Sequence, residues 1–588
     1  MKTKRTWYPL TGTVSDAKPA KLAAKKGVPV DPLTGPKLAL AGRVVTMDKA
    51  YKVVNDGVVY IDKGTIVAVK KRSEAAPASH AGITVVDTGG TLFPGLIELH
   101  NHLSYNALPL WAVPKKFTER GQWSDHADYR PLVSGPMSTL GDYKDANGKF
   151  PMLPAITRYV ECKCLLGGVT TTQGIMLSSN NGIQRYYIGI VRNVERTDDM
   201  LLPEAGAMIA DVEAKNAKEF LLKLQKEQSC YLLHLSEGYT DPATPESAAR
   251  KHFLALKISP DLWALTPSFA GIHSAGLLPE DFKVLAANKC SIVWSPLSNL
   301  LLYGGTARVE AAKKEGVTIG LGSDWSPTGS KNLLGELKVA WLYNKHVLNG
   351  LFKEKEIIAM ATRNAADILK WTDRLGVLKA GALADLLVVK GDTGDPYKAL
   401  LNAKESDLQL VMVNGIARYG TPGLMQQLSP GGEKIKVGGQ AREVFLEQET
   451  ADPDVKKVSL KKATDDLRTA LKDIAKLAKA NEKPKPAMAR KMAAAAQAQP
   501  AWTLALNETC NCGVEFAPRL PLNGPGDFTG VRRSPKVLAK KSPPLSTILK
   551  PIVLDALTVA DDPTWLQRIE QQPNVPTKVR DGLRALYS

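Results

Sequence analysis

The sequence contains few cysteines and no long hydrophobic segment. Six cysteines in 588 residues are too few for a disulfide-stabilised scaffold, and this scarcity favours a reducing, cytoplasmic location. No run of about 18 apolar residues is present, so we expect no membrane-spanning helix. The basic amino terminus also lacks the apolar segment of a signal peptide. The sequence therefore argues against a disulfide-rich secreted scaffold and against a membrane protein.

Several nucleotide-binding motifs are absent as well. The sequence has no P-loop, no G-x-G-x-x-G dinucleotide fingerprint and no P-C-x-x-C motif of the small zinc nucleobase deaminases. Cys510 and Cys512 form a C-x-C pair, but a structural zinc site needs a second pair of ligands that is missing here. The chemistry of the protein must therefore be sought in other residues.

Acidic residues are outnumbered by basic ones. The chain carries 77 Lys+Arg and 59 Asp+Glu, which gives a formal net charge of +18. Residues 456–550 hold 19 Lys+Arg and 7 Asp+Glu, so much of the excess lies there. No recognised nucleic-acid module is present, and aromatic residues do not alternate with the basic ones. We interpret this region as a solvated basic linker and tail, with nucleic-acid binding through 456–550 as the alternative.

The chain is long enough, and at 44% hydrophobic residues apolar enough, for more than one domain. Short β-type runs occur on both flanks of a central region, which predicts one small β-sandwich built from both. The predicted ranges are a basic amino-terminal arm (1–35), the first part of the sandwich (36–91), the central domain (92–375), the second part of the sandwich (376–423) and a basic extension (424–588), which contains a helix (457–480) and a linker (481–500).

The central domain alternates apolar runs with segments of helical spacing. About eight such β/α units in about 280 residues predict an α/β fold of the (β/α)8, TIM-barrel type. In such barrels the functional groups sit at the carboxyl ends of the strands, where the loops begin. We therefore looked for polar residues at those positions.

The first strand of this domain ends in a His-x-His pair. His100 and His102 follow the apolar residues Leu96, Ile97 and Leu99. Residues i and i+2 of a strand point to the same side, so both imidazoles can reach one point beyond its end. Neutral imidazole is the commonest metal ligand, and such a pair supplies half of a metal site. A pair of surface histidines at a strand end is the alternative.

Later strands end in residues of the same kind. His234 ends one strand and is followed three positions on by Glu237, His273 ends the next, and Asp324 follows the last. The chain has only eight histidines, so four of them at strand ends is a concentration that scattered core histidines rarely show. The combined pattern predicts a metal site at the barrel mouth.

This order of residues resembles the amidohydrolase superfamily. The resemblance is to the one-metal branch that contains cytosine, guanine and S-adenosylhomocysteine deaminases and triazine chlorohydrolases. It covers roughly residues 37–423. Further sequence motifs typical of the family lie at 93–102, 167–171, 295–300, 361–366 and 376–386.

The resemblance implies a role for each of these residues. His100, His102, His234 and Asp324 would bind one divalent metal, with Zn²⁺ expected and Fe²⁺ as the alternative. Glu237, His273 and Asp324 would be catalytic and would handle protons while a metal-bound hydroxide attacks the substrate. The two-metal branch uses a bridging carboxylated lysine, and no convincing lysine lies at the corresponding strand end.

The insertion at 103–150 is where substrate contacts are expected. Its Trp111 and Trp123 are candidates for stacking on a planar heterocycle, although they can equally pack the insertion onto the barrel. Arg120 in the same insertion is a candidate contact for an anionic group of a substrate.

The sequence therefore predicts a metal-dependent hydrolase acting on carbon–nitrogen bonds other than peptide bonds. The favoured reaction is hydrolytic deamination of a nucleobase-like heterocycle, and the alternatives are hydrolysis of an amide or cyclic amide and triazine-type dechlorination. A non-catalytic scaffold with a basic tail is the alternative from another class. The expected partners are a small-molecule substrate and a second copy of the chain in a homodimer.

Overall fold

The computed structural model of the protein describes residues 35–147, 149–174, 186–187, 190–197, 199, 201–448, 452–482 and 543–588. The predicted arm at 1–35, nearly all of the linker at 481–500 and the Cys510/Cys512 pair lie outside these residues, as does most of 456–550. Within the described ranges, no helix has the length and apolar character needed to cross a membrane.

The strands, in chain order, are β1 (Leu38–Val45), β2 (Val53–Asp62), β3 (Thr65–Lys71), β4 (Val85–Pro94), β5 (Leu96–Glu98), β6 (Val169–Thr172), β7 (Arg192–Asn193), β8 (Gly206–Met208), β9 (Tyr231–Leu235), β10 (Lys257–Ser259), β11 (Leu262–Trp263), β12 (Phe269–His273), β13 (Ser291–Trp294), β14 (Thr318–Leu321), β15 (Leu386–Lys390), β16 (Leu408–Val413), β17 (Ile416–Gly420), β18 (Glu433–Val437) and β19 (Gln440–Val444).

The α-helices are α1 (Arg120–Ser124), α2 (Gly135–Asp142), α3 (Met152–Leu166), α4 (Ala217–Leu224), α5 (Ala248–Leu254), α6 (Pro279–Ala287), α7 (Pro296–Tyr303), α8 (Val309–Lys314), α9 (Leu333–His346), α10 (Glu354–Met360), α11 (Arg363–Ile368), α12 (Pro396–Asn402), α13 (Pro422–Leu428), α14 (Pro453–Lys456), α15 (Leu460–Lys472), α16 (Ile474–Asn481), α17 (Leu545–Ile548), α18 (Pro563–Glu570) and α19 (Thr577–Tyr587).

The central region contains parallel strands that pair in chain order. Strands β5, β6 and β7 form one sheet, and β8, β9, β12, β13 and β14 form another. Two backbone bonds also join residues next to these sheets: the Leu99 amide donates to the Leu321 carbonyl (3.3 Å), and the Ala205 amide donates to the Val194 carbonyl (2.8 Å). The carboxyl ends of all these strands therefore face the same side.

Strands from the two flanks share one nine-stranded sheet, in the order β18-β19-β17-β16-β15-β4-β1-β2-β3. The central pairing joins β4 to β15 antiparallel, with Leu92 opposite Val388. One apolar cluster contains residues from both flanks, including Leu40, Val59 and Met412. Strand β4 leads directly into β5, so this sheet supports the strand that carries the His-x-His pair.

The nine-stranded sheet continues past residue 423, the predicted end of the β-sandwich. Strands β18 and β19 form a hairpin whose turn is Gly438-Gly439, with φ angles of 53° and 76°. A two-residue hairpin turn needs positive φ at both positions, which glycine adopts without strain. The Gly-Gly pair is the sequence signal for these two strands, and the prediction of an extension from 424 overlooked it.

The predicted helix 457–480 is two helices in the structure. Helix α15 ends at Lys472 and α16 begins at Ile474, with Asp473 between them at φ −100° and ψ 21°. Aspartate is unfavourable inside helices because its side chain competes for backbone hydrogen bonds. The apolar side chains of the predicted stripe, among them Leu467 and Leu471, are buried as expected, and α15 packs against α3.

A buried glutamate links α9 to α7 and provides a test of the fold. The Glu336 carboxyl accepts a hydrogen bond from the Leu297 amide (2.9 Å) and contacts the Ser330 hydroxyl. Burial raises the pKa of Glu336 to about 8, although the bonds from Ser330 and Leu297 act in the opposite direction. The folded protein therefore holds a proton here that the unfolded chain releases at its ordinary pKa of about 4.3.

We expect this carboxyl to make the protein less stable as pH rises from about 5 to about 8, by up to about 1.4 kcal/mol per pH unit. Glu336→Gln should remove this component, because glutamine keeps a neutral side chain of the same shape. Urea unfolding at a series of pH values measures it. The control is Glu310→Gln, at an exposed position of α8. Parallel pH profiles for wild type and Glu336→Gln would contradict the prediction.

Candidate metal centre

Four histidines and one aspartate from four strand ends meet in one buried cluster. His100 and His102 follow β5, His234 lies in β9, His273 ends β12, and Asp324 follows β14. The His100 ring centroid lies 5.0 Å from that of His102, 4.6 Å from that of His234 and 4.9 Å from that of His273. Asp324 Oδ1 lies 3.1 Å from His100 Nε2 and 3.4 Å from His102 Nε2. The structure therefore brings together all five residues that the sequence placed at strand ends.

The backbone holds two of these residues in an unusual conformation. His273 and Asp324 both have a φ of 65°, in the left-handed region that side chains other than glycine rarely adopt. Such backbone costs about 1–3 kcal/mol per residue and concentrates at functional sites. Two bonds fix the Asp324 segment beside the histidine pair: the Asp324 amide donates to the His100 carbonyl (3.0 Å), and the His102 amide donates to the Asp324 carbonyl (2.8 Å).

Two overlapping groups of these side chains have the spacing of a metal site. One is His100, His234 and His273, and the other is His100, His102 and Asp324, with ligand atoms within 4.8 Å of one another in each group. A histidine can bind a metal only through a ring nitrogen that carries no proton. The hydrogen bonds of the other ring nitrogen therefore distinguish ligands from proton donors.

His234 has a free nitrogen directed into the cluster. Its Nδ1 lies 3.2 Å from the Met208 carbonyl, which can only accept, so Nδ1 carries the proton. Nε2 is then an unprotonated acceptor, and it is buried with no hydrogen-bond partner among the described residues. A histidine whose outer nitrogen donates to a carbonyl is the arrangement found around bound metals.

His273 has the opposite arrangement. Its Nδ1 lies 3.0 Å from Asn299 Nδ2, an amide nitrogen that can only donate. The orientation of this amide follows from its neighbours: Trp294 Nε1 donates to Thr306 Oγ1 (2.7 Å), so the Thr306 hydroxyl donates in turn to Asn299 Oδ1 (3.2 Å). His273 must therefore carry its proton on Nε2, which makes it a hydrogen-bond donor towards the cavity and not a metal ligand.

The charge states of the cluster match those of metal ligands. Burial lowers the pKa of His102 to about 3 and that of His234 well below its usual range, so both imidazoles are neutral at pH 7. Burial alone would raise the pKa of Asp324, but His100 and His102 lower it below the ordinary range, and the carboxylate stays ionised. Ser298 also donates to Asp324 Oδ2 (2.6 Å), which leaves Oδ1 facing the imidazoles.

Glu237 lies beside this cluster, and Tyr303 and Trp123 support its carboxylate through hydrogen bonds. The Tyr303 hydroxyl donates to Glu237 Oε1 (2.8 Å) and accepts from Trp123 Nε1 (2.8 Å). The other oxygen, Oε2, lies 3.8 Å from His273 Nε2 and 3.7 Å from Arg120 Nη1. Burial raises the pKa of Glu237 to about 7, and the positive charge of Arg120 limits the rise. The carboxyl can therefore gain and lose a proton near neutral pH.

The aromatic residues of the insertion are buried among themselves and against the barrel. Trp111 stacks on Phe117 with ring centroids 6.3 Å apart, and Trp123 packs against Tyr129 at 5.3 Å. Trp123 also supports Glu237 through Tyr303, a role that the sequence did not indicate. Contact of either tryptophan with a substrate stays a prediction.

Arg120 is engaged by protein groups. Its Nη2 donates to Asp211 Oδ2 (2.9 Å) and its Nη1 to the Ile209 carbonyl (2.9 Å), and the side chain is buried. The structure therefore gives this arginine protein partners at the loop after β8, whereas the sequence suggested an anionic substrate group as its partner.

Several supporting residues were not singled out from the sequence. Ser298 and Asn299 lie in the family-typical phrase 295–300, but neither was given a role there. Glu98 accepts bonds from the Ser323 amide (2.8 Å) and hydroxyl (2.7 Å), and so fixes the segment before Asp324. The alternation of β5 places Glu98 on the same side as His100, which was the available signal.

Comparison with known proteins finds similarity to amidohydrolases. A model of the amidohydrolase family matches residues 260–417. A 5-methylthioadenosine/S-adenosylhomocysteine deaminase of Thermoanaerobacter pseudethanolicus is 23% identical over 404 residues, which cover 63% of this chain and 91% of the relative. A deaminase of the same name from Nitratidesulfovibrio vulgaris strain Miyazaki F is 26% identical over 429 residues, covering 66% and 96%. The chain is similar to the amidohydrolase family over these matched residues.

Solved structures of amidohydrolases support the fold. A mutant atrazine chlorohydrolase from Arthrobacter aurescens, in complex with zinc and atraton, aligns with a TM-score of 0.50 and 20% identity over 65% of this chain and 94% of its own. A triazine hydrolase variant aligns with a TM-score of 0.52 and 19% identity, covering 74% and 99%. The central region of the chain therefore has the α/β, TIM-barrel type of fold that the sequence predicted.

Proposed function

We propose that the protein is a metal-dependent hydrolase that deaminates a heterocyclic, nucleobase-like small molecule. The observation that carries the proposal is the convergence of His100, His102, His234 and Asp324, in which His102 and His234 are neutral imidazoles and Asp324 is an ionised carboxylate. Three nitrogen ligands and one oxygen ligand suit a catalytic zinc site that keeps one position open. Zn²⁺ is the expected ion and Fe²⁺ the alternative, and the bare Nε2 of His234 fits either.

A divalent ion bound there supplies a water whose pKa is lowered towards about 7. Asp324 would accept a proton from this water, because its carboxylate is ionised and its Oδ2 is already bonded by Ser298. His273 would donate a hydrogen bond from its Nε2–H to the oxygen that becomes negative during attack on the substrate carbon. The tautomer set by Asn299 prepares His273 for this role.

Glu237 would transfer the proton between the attacking water and the substrate. With Oε1 bonded by Tyr303, its Oε2 faces His273 and the cavity. A carboxyl with a pKa of about 7 is half protonated at neutral pH, which suits a group that first accepts and then returns a proton. The proton returned by Glu237 would go to a ring nitrogen, and the proton accepted by Asp324 would go to the amino group that leaves as ammonia.

The relatives named as deaminases support ammonia as the leaving group, and the atrazine chlorohydrolase keeps chloride as an alternative. Hydrolysis of an amide or a cyclic amide is the third possibility. The test is a panel of purines, pyrimidines, their nucleosides and triazines, incubated with metal-analysed protein, with ammonia, chloride and carboxylate measured in parallel. We expect stoichiometric metal and ammonia release. Metal-free active protein would contradict the proposed centre, and chloride release alone would contradict deamination.

Tyr303→Phe tests the support behind Glu237. Loss of the hydroxyl removes one donor to the carboxylate, which should lower turnover by about tenfold, since a hydrogen bond to a charged group contributes about 1.5–3 kcal/mol. The pH at which Glu237 titrates should rise, because the ionised form loses a donor. A pH–rate profile measures both effects. Tyr397→Phe is the matched control, since the Tyr397 hydroxyl donates to the Tyr51 carbonyl (3.2 Å) and belongs to the flanking region. An unchanged profile for Tyr303→Phe would contradict the arrangement.

Five further features stay predictions. They are closure of the eight central strands into a (β/α)8 barrel, a second layer that makes the nine-stranded sheet a sandwich, dimerisation, a cytoplasmic location and nucleic-acid binding through 456–550. Size-exclusion chromatography with light scattering tests the dimer. Binding to nucleic acid should fall steeply with salt if the basic region makes phosphate contacts, and no binding at low salt would remove that alternative.

A further inference from the structure

Three buried charged side chains and the half-buried Asp562 lie together where the carboxyl-terminal segment 543–588 meets the central region. Asp555 lies between two lysines: its Oδ2 contacts Lys163 Nζ, and its Oδ1 lies 2.5 Å from Lys331 Nζ. Lys331 also lies 2.8 Å from Asp562 Oδ2. Two positive and two negative charges balance one another, which is what charges removed from water require.

The backbone of Asp555 also makes hydrogen bonds to the central region. The Asp555 amide donates to the Ala107 carbonyl (3.0 Å), and the Tyr159 hydroxyl donates to the Asp555 carbonyl (2.5 Å). Asp555 is thus bonded to the insertion after β5 and to α3 at the same time. The residues matched by the family model end at 417, so this segment is an addition to the matched region.

Lys163 connects Asp555 to the loops of the candidate metal centre. Its Nζ also donates to the Asn106 carbonyl (2.9 Å) and to Ser326 Oγ (2.8 Å). An ammonium group has three protons to donate, and these three partners use all of them. Burial lowers the pKa of Lys163 to about 8, and Asp555 is the main influence that raises it.

Asn106 continues the connection to the metal ligands. Its Oδ1 accepts from the Ser326 amide (2.8 Å), and its Nδ2 donates to Asn101 Oδ1 (2.9 Å). Asn101 lies between His100 and His102, and Ser326 lies two residues after Asp324. A continuous set of buried hydrogen bonds therefore runs from the carboxyl-terminal segment to both loops that carry candidate ligands.

We propose that Asp555 is a positioning residue for the metal centre: it orients Lys163, which joins the loop of His100 and His102 to the loop of Asp324. The carboxyl-terminal segment is then part of the catalytic unit. This inference rests on the proposed function, because it assigns Asp555 a role in that same site.

The test compares Asp555→Asn, Ser326→Ala and the double variant in the full chain. Asp555→Asn removes the charge beside Lys163, and Ser326→Ala removes only the bond from Lys163 to the Asp324 loop. Glu570→Gln is the matched control, since it breaks the exposed pair with Arg584 (2.6 Å) in the same segment. Two readouts are used: the rate at which a chelator removes zinc, and hydrogen–deuterium exchange of the amides in 101–107 and 323–328.

We expect zinc loss about tenfold faster in each single variant, since changes behind metal ligands cost about 10–100-fold in affinity. Exchange should rise in both loops, and the double variant should add little, because both changes break the same connection. Wild-type zinc loss and exchange in both single variants, or effects that multiply in the double variant, would overturn the inference. If Asp555→Asn does not fold, Ser326→Ala alone decides. If wild-type protein binds neither zinc nor iron, the proposed function fails, whereas exchange in the two loops still tests the connection.

Discussion

His102→Ala is expected to abolish both metal binding and turnover. The variant removes one of four candidate ligands, a buried neutral imidazole whose Nε2 lies 3.4 Å from Asp324 Oδ1. A catalytic metal contributes several kcal/mol to the transition state, and each 1.36 kcal/mol is tenfold in rate. We therefore expect turnover to fall by about a thousandfold or more. Metal analysis of the purified variant together with a steady-state assay measures the effect.

The matched control for this variant is His346→Ala. His346 lies in the last turn of α9, outside the cluster, so its loss should change neither metal content nor turnover. Thermal unfolding of both variants checks that the fold is intact. Full metal content and wild-type turnover in His102→Ala would refute the ligand assignment.

Glu237→Gln is expected to separate metal binding from catalysis. Glutamine keeps the bond from Tyr303 and the shape of the side chain but cannot carry a proton in the transition state. General acid–base catalysis contributes about 10²–10⁴-fold, so turnover should fall by that factor while the metal content stays at the wild-type value. The step of the pH–rate profile near pH 7 should also disappear, because the pKa of Glu237 lies at about 7.

Glu246→Gln is the control for this second experiment, because Glu246 is exposed in the loop that follows the same strand. Its pH–rate profile should match that of the wild type. If Glu237→Gln retained both full turnover and the step near pH 7, the assignment of Glu237 as the proton carrier would be wrong.

The positions of the site residues were predictable because they follow from the geometry of single strands and of parallel sheets. Residues i and i+2 of a strand share a side, which placed His100 and His102 together, and parallel strands end on one face, which added His234, His273 and Asp324. Both rules act within a few residues, so a single sequence reveals them.

Contacts between distant segments were not predictable in this way. The bond from Trp123 to Tyr303 joins residues 180 positions apart, and the bond from Lys163 to Asp555 joins residues 392 apart. Neither pair has a spacing that a periodic pattern would reveal. Tyr303 also ends a helix whose side chains are all buried, so its type alone indicates core packing and not contact with Glu237.

The break between α15 and α16 shows how a strong pattern can hide a local signal. The apolar stripe from Leu460 to Ala478 is nearly continuous in helical spacing, and it predicts one helix. Asp473 interrupts the backbone but not the buried face, because Leu471 and Ile474 on either side are both buried. Packing of the apolar face therefore tolerates the change in backbone direction at Asp473, which the spacing of the apolar residues does not reveal.

Strand β4 can pair with β15 only late in the synthesis of the chain. Leu92 and Val388 are neighbours in the sheet, so the strand that leads into the His-x-His pair stays unpaired on one side until nearly 300 more residues have been added. At about 5–20 residues per second, the nascent chain carries this open edge for about 15–60 seconds. During that interval the open edge exposes backbone amides and carbonyls that can pair with another chain.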